Sequence, residues 1–551
     1  MRPRTAARIG VGVLILAVTA SCAPEATCPG DWCGTAVVVS AAEADVLLPV
    51  ASTMDIGIAL GDFLFLRLAD IGPDLNLVDP ATFVPQLAQS WSMEDPRTIV
   101  FTLHPDARWH DGTPVTAGDV VFTFDVYRDT LVGSAAMPRL LSIDAVEARD
   151  PHTVAFRFRR QYAEMFFDAV YHMRILPQHL LDTVPRAALG AHPFGRQPIG
   201  SGPYRFVRWN AGQSIELAGD STFFLGRPGI PRIIWRFSAD VGTAAAQFLA
   251  GEADVVNYLP PEMLPRVEED DDLRAVPWTP STFYSYLQFN FRDPEDPERP
   301  HPLFGSRAVR EAIAMAVNRP EVVRAVYGEQ GIVAKGPIAP AHYIWDEQYD
   351  QVPFDTARAR AQLAAAGWRD RDGDGVLDRD GAPLEFDIVF PTSSAARRRQ
   401  AEIIQEQLRR VGITMNLSGL DFGAYAERGR AHRFDIYFGS YGGDFSPSTI
   451  PEVWTTGALN NYGSYSNPAF DRVVRQALDA PDVATARARW VEAVNLLNRD
   501  VPAVWTTASP PSAGVHARFE NASIRSDNFV ATLPQWYVPA SRLIDRDRYT
   551  P

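Results

Sequence analysis

Between residues 384 and 439 the chain alternates strand, helix and strand, and that order leaves few folds open. Residues 384–390 (LEFDIVF) read as a strand and 394–411 as a helix with Ile403, Ile404 and Leu408 on one side. Residues 413–417 read as a second strand, 422–428 as a short helix and 434–439 as a third strand. Strand–helix–strand units pair their strands in parallel through a helical crossover, so this half predicts an α/β sheet covered by helices. Arg409 and Arg410 suit the negative end of the long helix, and Gly412 suits its C′ position. Two further amphipathic helices are expected over 468–478 and 483–498.

The first half is richer in strands. Residues 35–40 (TAVVVS) predict a buried strand. Ile99, Phe101 and Leu103, then Val154, Phe156 and Phe158, alternate with other residues as half-buried strands do. Thr116 stands three before Asp119, a capping-box start for a helix carrying Val120, Val121, Phe124 and Tyr127. Residues 199–209 and 213–217 predict two strands about a turn. With 551 residues the chain is too long for one ordinary core, which argues for more than one lobe.

The N-terminus bears on the compartment. Arg2, Arg4 and Arg8 precede an uncharged, mostly apolar run from Ile9 to Ala20. That run falls short of the ~20 residues a spanning helix needs, so 1–21 reads as a secretory signal. All three cysteines, Cys22, Cys28 and Cys33, fall at this end, so the folded body has no thiol chemistry. Cys28 and Cys33 are expected to pair in an oxidising compartment. Residues 22–34 read as a tether. The formal net charge is −15, and residues 1–21 hold three arginines and no acid, so the mature chain is more acidic still. Such a surface repels nucleic acid and anionic headgroups.

Residues 19–22, Thr-Ala-Ser-Cys, resemble a bacterial lipobox, which implies a lipid on Cys22 and a membrane attachment through that anchor alone. A longer resemblance runs through the chain. Phe83 to Asp125 (FVPQLAQSWSMEDPRTIVFTLHPDARWHDGTPVTAGDVVFTFD), 198–204 (PIGSGPY), 249–255 (LAGEADV), 309–319 (VREAIAMAVNR) and 460–471 (NNYGSYSNPAFD) follow in order the pattern of the family 5 extracellular solute-binding proteins. Trp109 and Gly118 stand where that family usually has Phe and an acidic residue. The resemblance implies a two-lobed α/β fold of the periplasmic-binding-protein type (type II-like), with two hinge crossings and an extra subdomain inserted in lobe I. Lobe I would comprise 35–280 plus 510–551, with the insertion at about 75–195, and lobe II 281–509. It further implies a monomer that encloses a solute, most readily a peptide, by lobe closure. That solute would pass to an ABC permease and ATPase complex.

Residues 440–447 (SYGGDFSP) follow an expected strand, where open α/β sheets bind ligands. In peptide-binding relatives the equivalent loop offers an Asp-aromatic pair to the ligand ammonium, which implies that role for Asp444 and Phe445. A buried ammonium needs such a charge-assisted partner. Asp444 can equally be a turn residue capping backbone N–H groups. Tyr441, Tyr284, Trp454 and Tyr462 are the aromatic candidates for lining the cleft, each with a core role as the alternative. Asp370, Asp372, Asp374 and Asp378 have the spacing of a calcium loop with Gly375 at its sixth position, or of a plain acidic turn. No other cofactor is expected. The chain has no HExxH, no G-x-S-x-G and no Walker A lysine loop, so no catalytic constellation is evident. A secreted hydrolase of peptides or glycans and a sensory lipoprotein without a permease are the alternatives.

Overall fold

The computed structural model describes residues 32–345, 348–442, 445–529 and 531–547. Its two largest sheets divide these residues into two lobes. The lobe I sheet has seven strands in the order Leu273–Pro277, Ser512–His516, Val255–Leu259, Thr35–Ser40, Arg232–Phe237, Ser214–Gly219 and Tyr204–Asn210. Thr35–Ser40 is buried along its whole length and runs parallel to both neighbours, while the outer strands join antiparallel. The lobe II sheet has five strands in the order Thr414–Leu420, Glu385–Pro391, Ile436–Tyr441, Tyr284–Phe289 and Ala503–Trp505. Glu385–Pro391 is parallel to both its neighbours, as the strand–helix–strand order demands.

Local signals explain the helices. Thr116 and Asp119 form a reciprocal capping box ahead of Ala117–Arg128. Ser394 caps Ala395–Arg409, and Gly412 takes the left-handed φ of +81° that a C′ residue adopts. Asn467 caps Pro468–Leu478, and Asp482 caps Val483–Asp500.

A third sheet, ordered Ala88–Asp95, Thr98–Leu103, Thr153–Phe158, Ile143–Asp150, stands beside the lobe I sheet. It shares one continuous apolar cluster with it, from Val38 and Trp235 to Phe101, Phe156 and Phe166. Lobe II has two main clusters, one on each face of its sheet: Leu287, Phe289, Ile388 and Phe438 in one, Tyr284, Tyr286, Trp454 and Trp490 in the other.

The chain passes between the two large sheets twice, through 278–283 and back through 506–511. The two crossings lie side by side: the Ser285 amide donates to the Thr507 carbonyl (2.7 Å) and the Trp278 amide to the Pro511 carbonyl (2.9 Å). Two adjacent crossings form a hinge, because small φ/ψ changes there reorient whole lobes.

The N-terminal edge departs from a simple tether. Trp32 donates its indole N–H to the Pro228 carbonyl (2.7 Å), with the Arg227 guanidinium 5.3 Å from its ring. Cys33 is buried and disulfide-bonded. Residues 32–34 therefore belong to lobe I rather than to a free linker; Cys22 and Cys28 lie outside the described residues.

Lobe I is locked by buried ion pairs. Asp254, fully buried, accepts from the Val37 amide (2.9 Å) and pairs with Arg518 (2.9 Å), which in turn pairs with Asp547 (2.6 Å). A second network alternates arginine and aspartate. Asp62 accepts from Arg174 (2.8 Å), Arg67 (3.1 Å) and Asn528 (3.0 Å); Asp70 links Arg67 (3.1 Å) to Arg525 (3.0 Å); Arg525 pairs with Asp527 (2.7 Å).

Candidate functional site

Parallel strands deliver their C-terminal ends to one edge of a sheet. Glu385–Pro391 and Ile436–Tyr441 are parallel neighbours, so the helix after the first and the loop after the second start side by side. At that edge a cavity of about 340 Å³ opens between the lobes. Lobe II lines it with Arg397, Ser440 and Tyr327, lobe I with Tyr258, and the crossings with Trp278 and Phe283. The volume lies within the range of small-molecule sites, ~300–1,000 Å³.

Among the described residues, Arg397 is the only charged side chain lining this cavity and no carboxylate pairs with it. It sits in the first turn of Ala395–Arg409, its amide donating to the Ser394 hydroxyl (3.3 Å). A helix N-terminus already favours negative charge, and an unpaired guanidinium beside it adds to that field. Burial pushes the Tyr258 and Tyr327 phenols above their ordinary pKa, so both remain hydroxyl donors at neutral pH. Among the described residues the cavity thus presents aromatic walls, hydroxyls and one cation without a carboxylate partner.

Asp444 and its neighbour Gly443 lie outside the described residues. The residues on either side place the rest of the loop. Tyr441, at the end of its strand, is half-buried and donates its hydroxyl to Glu452 (2.5 Å). Phe445 is fully buried, not in the cleft wall but in the lobe I cluster, edge-on to Tyr171 with ring centroids 6.3 Å apart. Tyr284 and Trp454 sit in the core of lobe II at 2% and 0% exposure. The Trp454 indole donates to the Tyr284 hydroxyl (3.3 Å), and Trp505 packs edge-on against both rings. Their strand face is covered by helices, so neither offers surface to a solute. Tyr441 and Tyr284 are neighbours (6.1 Å), whereas Tyr462 stands apart, edge-on to Tyr437 in a small cluster with Tyr425 and Phe434.

Arg397, Tyr258 and Tyr327 escaped the sequence reading. The signal for Arg397 was present: it follows a strand's C-terminal end, as the Asp444 loop does. Tyr258 and Tyr327 carried no such mark, because only the approach of the two lobes brings them together.

The acidic loop gathers three of its four expected residues. Carboxylate oxygens of Asp370, Asp372 and Asp374 lie within 4.8 Å of one another, all exposed. Asp378 instead pairs with Arg371. The loop is also closed by its own turns, with Asp370 accepting from the Gly373 (2.7 Å) and Gly375 (3.1 Å) amides. If this loop takes calcium, millimolar calcium raises the melting temperature and EDTA lowers it; a melting curve indifferent to both removes the calcium assignment.

Residues 82–464 match the family model described as "Bacterial extracellular solute-binding proteins, family 5 Middle", and the chain belongs to that family. Among its relatives is the oligopeptide-binding protein AppA of Bacillus subtilis, 29% identical over 384 residues, 68% of each chain. The structure of that AppA with a nonapeptide superposes with a TM-score of 0.74 at 24% identity, covering 92% of this chain and 99% of AppA. NikZ from Campylobacter jejuni with Ni(L-His) superposes with a TM-score of 0.77 at 22% identity, covering 91% and 99%. The fold is therefore that of the two-lobed family 5 binding proteins, and the family places the protein outside the cytoplasm.

Proposed function

We propose that the protein captures short peptides or related solutes bearing both an amine and a carboxylate, and hands them to an ABC permease and ATPase complex. It does no chemistry on them. The observation that carries this reading is the interlobe cavity with Arg397 at one side, unpaired among the described residues. The Asp444 loop follows the strand whose Ser440 lines the same cavity. A carboxylate at Arg397 and an ammonium at Asp444 would bridge the termini of a zwitterionic ligand, and the aromatic walls would accommodate side chains. Relatives named as peptide-binding support the ligand class. The lipobox-like 19–22 supports a mature protein held to the membrane by lipid on Cys22. Among the described residues no helix is long and apolar enough to cross a membrane.

The test is a thermal-shift and calorimetric panel of di- to pentapeptides, free amino acids, sugars and nickel chelates on protein truncated at Cys22. Dose-dependent stabilisation by peptides is expected. A response confined to another solute class would discard the peptide assignment. In the same panel Arg397→Ala is expected to weaken a free-carboxylate peptide by about 2–3 kcal/mol, roughly 30- to 150-fold. It should leave the C-terminally amidated peptide almost unchanged. Equal losses for both forms would show that Arg397 does not meet the carboxylate.

A further inference from the structure

Away from the hinge and the cavity, among the described residues, a band of contacts joins lobe II to the inserted subdomain of lobe I. Phe445 of lobe II is buried against Tyr171. The Ser446 hydroxyl donates to Glu164 (2.5 Å), with both side chains buried. Arg139 reaches across to Ser448 (2.6 Å) and Glu452 (2.7 Å), and Arg160 pairs with Asp479. Of the lobe II residues named here, all but Asp479 lie within 445–452, directly after the loop assigned to the ligand amine.

The receiving surface is preformed. Tyr171 is stacked on Phe167 (4.8 Å, 23°), lies under the Arg67 guanidinium (4.3 Å) and has its hydroxyl 3.4 Å from Asp527. It is thereby tied into the arginine–aspartate network of lobe I, so its ring has little freedom to follow a moving partner. Phe445 has the opposite character: it projects from lobe II, yet it is buried in the cluster built mainly by lobe I, with its ring edge-on to Tyr171. Opening the lobes would pull this ring out of an apolar cluster into water.

We propose that Phe445 is a positioning residue rather than a ligand contact. It latches the closed lobes by docking on Tyr171, with Ser446–Glu164 and Arg139–Glu452 as its polar rim. The inserted subdomain then has a stated task, to supply the socket. A latch that does not touch the solute changes only the fraction of molecules able to close, so it scales every affinity by the same factor. A ligand contact changes affinities selectively. The affinity part of this inference rests on the solute-binding reading above; the closure part does not.

The experiment compares wild type, Phe445→Ala, Phe445→Leu and Arg139→Ala. Small-angle scattering of the ligand-free protein is expected to show a larger radius of gyration for Phe445→Ala. Phe445→Leu should stay near wild type, and the rim variant Arg139→Ala should fall between. Titration with the peptides that stabilise wild type is expected to show a loss of about 10- to 100-fold for Phe445→Ala, common to all of them. An unchanged radius in both Phe445→Ala and Arg139→Ala would overturn the latch, as would losses that differ from peptide to peptide. Should no peptide bind wild type, the solute-class reading fails while the scattering comparison still decides the latch.

Discussion

Asp444→Ala is expected to weaken peptide binding by about 2–5 kcal/mol, roughly 30- to 4,000-fold in Kd. The size follows from what the substitution leaves behind. An ammonium enclosed between lobes has lost its water, and without a carboxylate that loss is not compensated. Two ligands separate this role from a structural one. If Asp444 pairs with the amine, wild type binds an N-acetylated peptide as poorly as the variant binds the free one. A folded Asp444→Ala protein of unchanged affinity would return Asp444 to the role of a turn residue, and the amine would need another partner.

The second large effect concerns stability. Asp62→Ala is expected to destabilise lobe I by about 3–5 kcal/mol, because it strands Arg174 and half of the pairing of Arg67 in the interior. Burial alone would raise the Asp62 pKa, but the Arg174 and Arg67 guanidiniums outweigh it and hold the carboxyl at about 2. A folded pKa below the unfolded value means that the ionised form is favoured by folding. This contribution, about 2 kcal/mol, is therefore complete above the unfolded pKa near 4 and is lost as pH falls from there through about 2. Asp527 acts in the opposite sense: burial outweighs Arg525 and raises it, so its contribution falls as pH rises through its folded pKa. Chemical denaturation at pH 5 and at pH 2.5 checks the sign. The gap between wild type and Asp62→Ala should narrow at the lower pH, and a gap independent of pH would mean that the carboxylate charge is not what stabilises.

Much of the scaffold was legible because its signals are local. Thr35–Ser40 and Pro468–Leu478 begin and end where the apolar run, and the Asn467 cap with its following proline, say they should. The strand expected at 434–439 instead spans Ile436–Tyr441. Gly439 is a mid-strand residue that admits the Tyr286 ring: a Cβ there would lie 2.5 Å from that ring. The site was less legible, for a related reason. Alternation assigns Tyr284 and Tyr286 to one face but not whether that face meets solvent or helices, and here it carries Trp454 and Trp490. Phe445 looked like half of a ligand motif because its neighbour in sequence carries the charge. Its ring packs on Tyr171 of the other lobe, and no local pattern records that.

The order in which the lobe I sheet is assembled has a consequence for how the molecule is made. Strand Ser512–His516 is wedged between Val255–Leu259 and Leu273–Pro277, and Arg518 and Asp547 complete the charge cluster around Asp254. Lobe II draws its sheet from one uninterrupted stretch of chain. On a polypeptide delivered N-terminus first across a membrane, lobe II can consolidate as soon as its own segment has emerged. Lobe I must wait, with Val255–Leu259 and Leu273–Pro277 already outside but lacking the strand that joins them, until nearly the whole chain has crossed. Such long-range closure slows folding and leaves strand edges open meanwhile. During biogenesis, then, the half of the molecule synthesised first is the half completed last, and it has the greater need of protection from aggregation on the way.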